Sequence, residues 1–238
     1  MTPRGPGLTR DSPVQQRAPV VIRRLRKTYS EATVALRFSN PLECLVATIL
    51  SAQCTDERVN LVTAVLFVKY TKPEDYLAVP EEELQDDVRP TGFFRNKTKA
   101  IRGACRMIVE EFEGEVPRTM SEILRLPGVA RKTANVVLGN SYGVVEGVAV
   151  DTHVGRLSRR LGFSASDDAD KVELDLMALV PRRLWFDFTY VLIDHGRAIC
   201  QARLPRCESC PVSELCPSSL TAVTELRAPA APRARRAR

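Results

Sequence analysis

Apolar residues recur along this chain at spacings of three and four, the signature of amphipathic helices. The clearest case lies just past residue 40. Leu42, Leu45, Val46, Ile49 and Leu50 follow the i, i+3, i+4, i+7, i+8 pattern of one buried face. Asn40 is placed to cap this helix, Pro41 suits its first position, and Glu43 stands at N3. Helical segments continue at about 57–70, 80–88, 96–113, 120–126, 131–141, 152–162, 169–180 and 183–198. Pro127 and Pro181 punctuate the run, and Pro80 with three glutamates opens the 80–88 segment. The single strand-like stretch, Val144 to Val150, is interrupted by Gly147. Strands at regular spacing are absent, which argues against an all-β or βαβ fold, and no internal repeat is evident. The expected class is all-α.

Composition bounds this picture. The 238 residues are 44% hydrophobic, enough for a sizeable core in one or two domains. An apolar run near the roughly 20 residues of a membrane span is absent, so no membrane partner is expected. The formal charge is +6, but it is carried by the ends. Residues 1–27 hold seven Lys/Arg and one acid, and residues 227–238 hold five Arg and no acid. The middle is therefore net acidic. The N-terminus lacks an apolar h-region and reads as a disordered, basic, Pro-rich arm over 1–19 rather than a secretory signal. A second disordered tail, rich in Arg, is expected over 221–238. A cytoplasmic setting follows, nucleoid-associated if the source is bacterial. In such a reducing compartment clustered thiols suggest metal rather than disulfides.

Four of the seven cysteines are clustered. Cys200, Cys207, Cys210 and Cys216 form C-x6-C-x2-C-x5-C, with Pro211 and Pro217 stiffening the loop. Four thiolates on short loops suit a tetrahedral metal or an iron–sulfur cluster, and spacing does not separate zinc from iron. Cys44, Cys54 and Cys105 read as small core residues.

The segment Leu124 to Leu138 reads helix, tight turn, helix. Leu126-Pro127-Gly128-Val129 is the turn, and the next helix starts near Ala130. Its first amides have no internal partner, and with the positive helix end they form a phosphate site needing no side-chain charge. Such a hairpin holds a nucleic-acid backbone without reading sequence; an ordinary turn between two helices is the plainer alternative. Lys132 falls in the first helical turn, where the dipole disfavours its charge. Partial burial would act the same way, toward a neutral, nucleophilic amine. Asp151 follows the apolar run and precedes a helix, where it can cap that helix and also be a rigidly held carboxylate. His153 reads as a local contact or a substrate contact. Residues 89–109 carry Arg89, Arg95, Lys97, Lys99, Arg102 and Arg106 without an acid, which fits either a phosphate-facing surface or a solvated helix face.

LPGVARKTANVVL, then VDTHVGRLSRRLG, then the four cysteines closely resemble the endonuclease III family of DNA repair glycosylases. LSAQCTD, whose Gln is Gln53, fits the same family, and the resemblance runs in order from about residue 20 to 220. It implies a two-lobed helix–hairpin–helix DNA glycosylase fold. A six-helix barrel domain would span 37–149. An iron–sulfur cluster domain would join 20–36 to 150–220, with the DNA cleft between the lobes. By matching position, Lys132 would be the nucleophile, Asp151 the catalytic carboxylate, and Cys200, Cys207, Cys210 and Cys216 the ligands of a [4Fe–4S] cluster. Gln53 would fill the gap left by a flipped nucleotide, and Phe93 would wedge into the opposite strand. Gly128, Val129, Ala130, Arg131 and His153 would contact DNA. Ala130 departs from the second hairpin glycine of many members, and Phe93 from their aliphatics.

The implied activity is that of a monomeric bifunctional glycosylase and abasic-site lyase. It would act on duplex DNA holding oxidised pyrimidines or abasic sites. A monofunctional mismatch glycosylase and a non-catalytic DNA-binding module are the alternatives. Lys132 argues against the first, since relatives that only remove the base lack this amine and use water, and the Lys132/Asp151 pair argues against the second.

Overall fold

The helix α2 (Pro41–Leu50) starts as its cap residues dictate. The Asn40 side chain accepts from the Glu43 amide at 2.9 Å, and the Glu43 carboxylate accepts from the Ser39 amide at 2.6 Å. Where the sequence predicts one buried face, the computed structural model buries α2 nearly all round: Cys44, Ala47 and Thr48 are enclosed along with the five periodic residues. These three are small, so neighbouring helices approach closely on that side as well. The Thr48 hydroxyl turns back to the Cys44 carbonyl at 2.7 Å and leaves nothing polar unsatisfied.

The structure describes residues 8–221, which fall into two compact units. One comprises Ala32–Asp151 with Arg182–Tyr190. Around α2 it places α3 (Asp56–Lys69), α4 (Pro73–Ala78), α5 (Glu81–Val88), α6 (Phe94–Glu111), α7 (Met120–Ile123) and α8 (Arg131–Tyr142), with a 3-10 turn at Arg89–Thr91. Leu45, Leu50, Leu66, Tyr76, Ile101, Ile108 and Leu138 fill its core. Cys44 and Cys105 are buried there, and burial pushes their thiols up to about 11 and about 12 respectively. Cys54 stands half-buried at the core's edge. The α4 turn was not signalled by periodicity: six residues opened by Pro73 show too little pattern to read.

The other unit joins, among the described residues, 8–31, Thr152–Pro181 and 191–221. It holds α1 (Val14–Thr28), α9 (Thr152–Arg160), α10 (Ala169–Leu179) and the last part of α11 (Trp185–Ala198). Two sequence expectations change here. The arm expected to be disordered over 1–19 is helical from Val14, with Pro19 inside the helix. The reason is tertiary. Arg17 is buried and donates through Nη1 to the carbonyls of Leu161 and Leu215, both at 2.9 Å, while its Nε reaches the Ser12 carbonyl at 2.8 Å. Second, Arg182–Tyr190 packs with the barrel residues rather than with the cysteine-bearing unit. Gly139 makes room for the Phe186 ring, and Asn140 Nδ2 donates to the Tyr190 hydroxyl at 2.6 Å. The strand-like 144–150 segment forms no strand; it is an extended connection with Val148 and Ala149 buried. The parts of the two expected tails over 1–7 and 222–238 lie outside the described residues.

Candidate active site and nucleic-acid interface

The predicted hairpin is formed by a tight turn. The Val129 amide donates to the Leu126 carbonyl at 3.1 Å, with Pro127 and Gly128 between them and Gly128 at φ +79°. Proline then a residue with positive φ is the requirement of a type II turn. Space matters as much as φ. A Cβ on Gly128 would stand 2.6 Å from the Ala100 Cβ, and one on Gly103 would stand 3.0 Å from the Pro127 Cβ. The turn therefore lies flush on α6. Extended Ala130 then leads into α8 and offers no side-chain cap, and the first amides of a helix have no partner within it.

Lys132 is the second residue of α8 and is exposed. The partial burial expected for it is thus not supplied by the protein alone; the helix end is. Asp151 closes the extended connection and immediately precedes α9. The connection is held from behind, where the Thr189 hydroxyl donates to the Ala149 carbonyl at 3.4 Å and Arg182 donates to the Val145 carbonyl at 3.5 Å. Lys132 and Asp151 belong to the same compact unit.

Two expected DNA-inserting residues share an unusual backbone. Gln53, exposed in the loop after α2, has φ +53°. Phe93 has φ +47° and ψ +29° and is 61% exposed, directly before α6. A left-handed conformation costs a residue with a Cβ roughly 1–2 kcal/mol. An exposed phenylalanine held that way is a feature that fold stability does not require.

The basic run over 89–109 divides into two kinds. Lys97 is only 4% exposed, and its ammonium donates to the carbonyls of Leu50 and Thr91, both at 2.8 Å. Burial lowers its pKa, with Cys54 opposing. Arg102 donates to the carbonyls of Tyr76, Leu77 and Val79 at the end of α4. Both cations satisfy carbonyls at helix C-termini, Lys97 inside the fold and half-buried Arg102 at the wall of an open groove. Arg89 is paired with Asp86 and lies over the Phe94 ring. Lys99 and Arg106 are exposed, and with Asn96 they line one open groove beside Pro127 and Gly128, whose rim also includes Glu81.

In the other unit the four cysteine thiols line a single cavity with Leu157, His195 and Ile199. Burial pushes the Cys210 thiol up to about 11 and raises that of Cys216, and the neighbouring cysteines add to both. Cys210 and Cys216, whose thiols resist ionisation alone, share the cavity with Cys200 and Cys207, and such a set is suited to a cationic core that takes it as thiolates. Among the described residues no three potential ligands converge on one position for a lone metal ion. Arg160 Nη1 donates to Cys200 Sγ at 3.3 Å, and its guanidinium reaches the carbonyls of Gln201 and Ala202, both at 2.7 Å. His195 is buried, and desolvation lowers it to about 4, so its ring is neutral. Its Nδ1 meets the Tyr29 hydroxyl at 3.0 Å and its Nε2 faces Cys210 Sγ at 3.6 Å. None of these partners was singled out from the sequence, because Arg160 and His195 come from separate helices, Tyr29 follows a third, and no motif spacing links them. His153 is half-buried, with its Nδ1 3.2 Å from Arg156 and its ring against Gly196, a local contact within this unit.

Comparison with known proteins gives this arrangement its context. Residues 46–182 match the family described as HhH-GPD superfamily base excision DNA repair protein. Endonuclease III of Synechocystis sp. is 53% identical over 205 residues, covering 86% of this chain and 94% of its own length. Endonuclease III of Escherichia coli K12 is 39% identical over 196 residues, covering 82% and 92%. Among solved structures, a trapped endonuclease III–DNA covalent intermediate in an estranged-adenine complex has a TM-score of 0.84 at 44% identity, over 88% of this chain and 98% of that one. A thermostable thymine-DNA glycosylase has a TM-score of 0.75 at 25% identity, over 87% and 98%. With a family match across more than half its length and close relatives across most of it, the chain belongs to the endonuclease III family of helix–hairpin–helix base excision repair glycosylases.

Proposed function

We propose that the chain works as a DNA glycosylase and abasic-site lyase in base excision repair, with Lys132 as nucleophile and Asp151 as its carboxylate partner. The observation that carries this is the placement of an exposed lysine in the first turn of α8, directly after the tight Pro127–Gly128 turn. A relative trapped as a covalent DNA intermediate supports the reading.

The damaged nucleotide, an oxidised pyrimidine in this reading, must leave the stack to be reached, which costs a few kcal/mol and less for a damaged base. The Lys132 Nζ lone pair attacks C1′ of the sugar. The bond from C1′ to the base breaks, and the base departs with that electron pair and a proton. Asp151 takes the proton the lysine loses, or balances positive charge developing on the sugar. The lysine nitrogen's lone pair then breaks the C1′–O4′ bond, O4′ takes a proton from water to become a hydroxyl, and a protonated Schiff base results. Removal of a C2′ proton then expels the 3′ phosphate by β-elimination, and water releases the enzyme. Bound DNA covers the exposed Lys132 and supplies the desolvation that the free protein lacks.

Cys200, Cys207, Cys210 and Cys216 would hold a [4Fe–4S] cluster, whose contribution is to order the 200–216 loop. Its formation is read from iron content and visible absorbance. The chain acts as a monomer in this reading.

The deciding experiment is borohydride reduction of the protein with duplex DNA carrying an abasic site. A covalent adduct is expected, abolished by Lys132→Gln. An adduct of undiminished yield from that variant would overturn the assignment. Asp151→Asn should slow base release by about 10²- to 10⁴-fold, the range for a positioned proton-transfer group, in single-turnover assays.

A further inference from the structure

We propose that Lys97 is a positioning residue that clamps the two DNA-inserting loops to each other. It makes the Gln53 loop and the Phe93 loop move into the duplex as one unit. The proposal rests on the reading of Gln53 and Phe93 as inserting residues and goes beyond it.

The geometry is local and complete within one compact unit. Leu50 is the last residue of α2, and the chain from Ser51 to Thr55 carries Gln53. Thr91 ends the 3-10 turn that leads through Gly92 to Phe93. The Lys97 ammonium donates to both carbonyls, at 2.8 Å each, and the Lys97 amide donates to the Phe93 carbonyl at 3.1 Å. One side chain thus ties down the root of each loop, while its own backbone holds the wedge residue itself.

The chemistry suits a lysine. The last carbonyls of a helix have no internal partners and form its negative end, so an ammonium there satisfies both needs. Thr91 is buried, and its hydroxyl donates to the Val88 carbonyl at 2.8 Å, so the second anchor is itself fixed. A buried lysine without a hydrogen-bonded carboxylate is costly unless its N–H groups are used. Here the partners are carbonyls, which accept bonds without neutralising the charge. Gln53 and Phe93 both hold left-handed backbones, at φ +53° and +47°. Such conformations persist only where the surroundings over-determine them. The clamp supplies that constraint at both places.

The test separates insertion from chemistry. Lys97→Met keeps the aliphatic stem and removes the donors. Cleavage is measured on an abasic site in intact duplex and on the same site in single-stranded DNA, where there is no stack to fill and no opposite base to displace. Duplex cleavage is expected to fall on the order of tenfold, the scale of losing charged hydrogen bonds to buried acceptors. Single-strand cleavage should stay within about twofold of the parent. Equal losses on both substrates, or no loss on either, overturn the clamp. Gln53→Ala and Phe93→Ala run in parallel: if neither lowers duplex cleavage selectively, the insertion reading fails and takes the clamp with it. If both do and Lys97→Met does not, the clamp alone fails. Should Lys97→Met not fold, the double variant Gln53→Ala/Phe93→Ala on intact Lys97 decides. Coupled loops give a combined loss smaller than the product of the single losses, and a simple product refutes the coupling.

Discussion

Gly128 joins two demands at one position. Its φ of +79° excludes easy replacement, and the Ala100 Cβ stands 2.6 Å from where a side chain would begin. Gly128→Ala should therefore lift the hairpin from α6 and destabilise the unit by about 2 kcal/mol, combining left-handed strain with a steric clash. At roughly 2–4 °C per kcal/mol for a chain of this size, thermal unfolding would shift down by several degrees. Asn40→Ala removes one cap bond and should cost about 1 kcal/mol, visible in the same assay without loss of DNA binding. At this scale the sequence was informative wherever a residue type has one strong use. Proline then glycine gave the turn, and asparagine before proline gave the cap. Lys97 and Lys99 show where that logic ends. They are two residues apart in one basic run, yet one is buried on carbonyls and the other faces solvent. Two residues along a helix are about 200° around it, and only the packing of α6 decides which side is inside.

The hairpin and α6 act together as an element pair. Because the turn is pressed onto α6 through Gly103 and Gly128, the exposed Lys99 and Arg106 are held at a fixed offset from the hairpin amides. This groove is suited to continue the phosphate track beyond the hairpin. Replacing both by Ala should weaken DNA binding about equally across sequences and reduce the slope of log K against log salt by about 2, near 0.9 per phosphate contact. An unchanged slope would show that the groove meets no phosphate. The basic run as a whole had two open readings, phosphate surface or solvated face. Buried Lys97 fits neither, since it caps a helix C-terminus internally, while half-buried Arg102 caps the end of α4 and also lines the groove.

Across the whole molecule, charge and metal set the remaining expectations. Of the +6, residues 1–7 and 222–238 carry +5, and the described residues 8–221 are close to neutral at +1. Removing residues 1–7 and 227–238 takes away Arg4 and five further arginines and should flatten the salt dependence of binding. Single-turnover cleavage of saturated substrate should stay unchanged, because Lys132, Asp151 and the hairpin are untouched. A longer trim through Arg17 has a different outcome. It removes the guanidinium that holds the carbonyls of Leu161 and Leu215, and the unit bearing the cysteines should lose thermal stability by several degrees.

The sequence by itself determined the helical class, the main helix starts, the hairpin, the four-thiol loop and, through family resemblance, the enzyme class. These are set by local rules: helical periodicity, cap chemistry, the φ demanded of a turn, and motifs whose order leaves little freedom. Tertiary structure alone decided the rest. It extended α1 back to Val14 because a distant pair of carbonyls needed Arg17, and it moved Arg182–Tyr190 to the barrel residues because Phe186 fits over Gly139. It also turned Lys97 inward onto Leu50 and Thr91. Each of these outcomes depends on partners between about 6 and 200 positions away, and a buried hydrogen bond is specified by both of its ends at once.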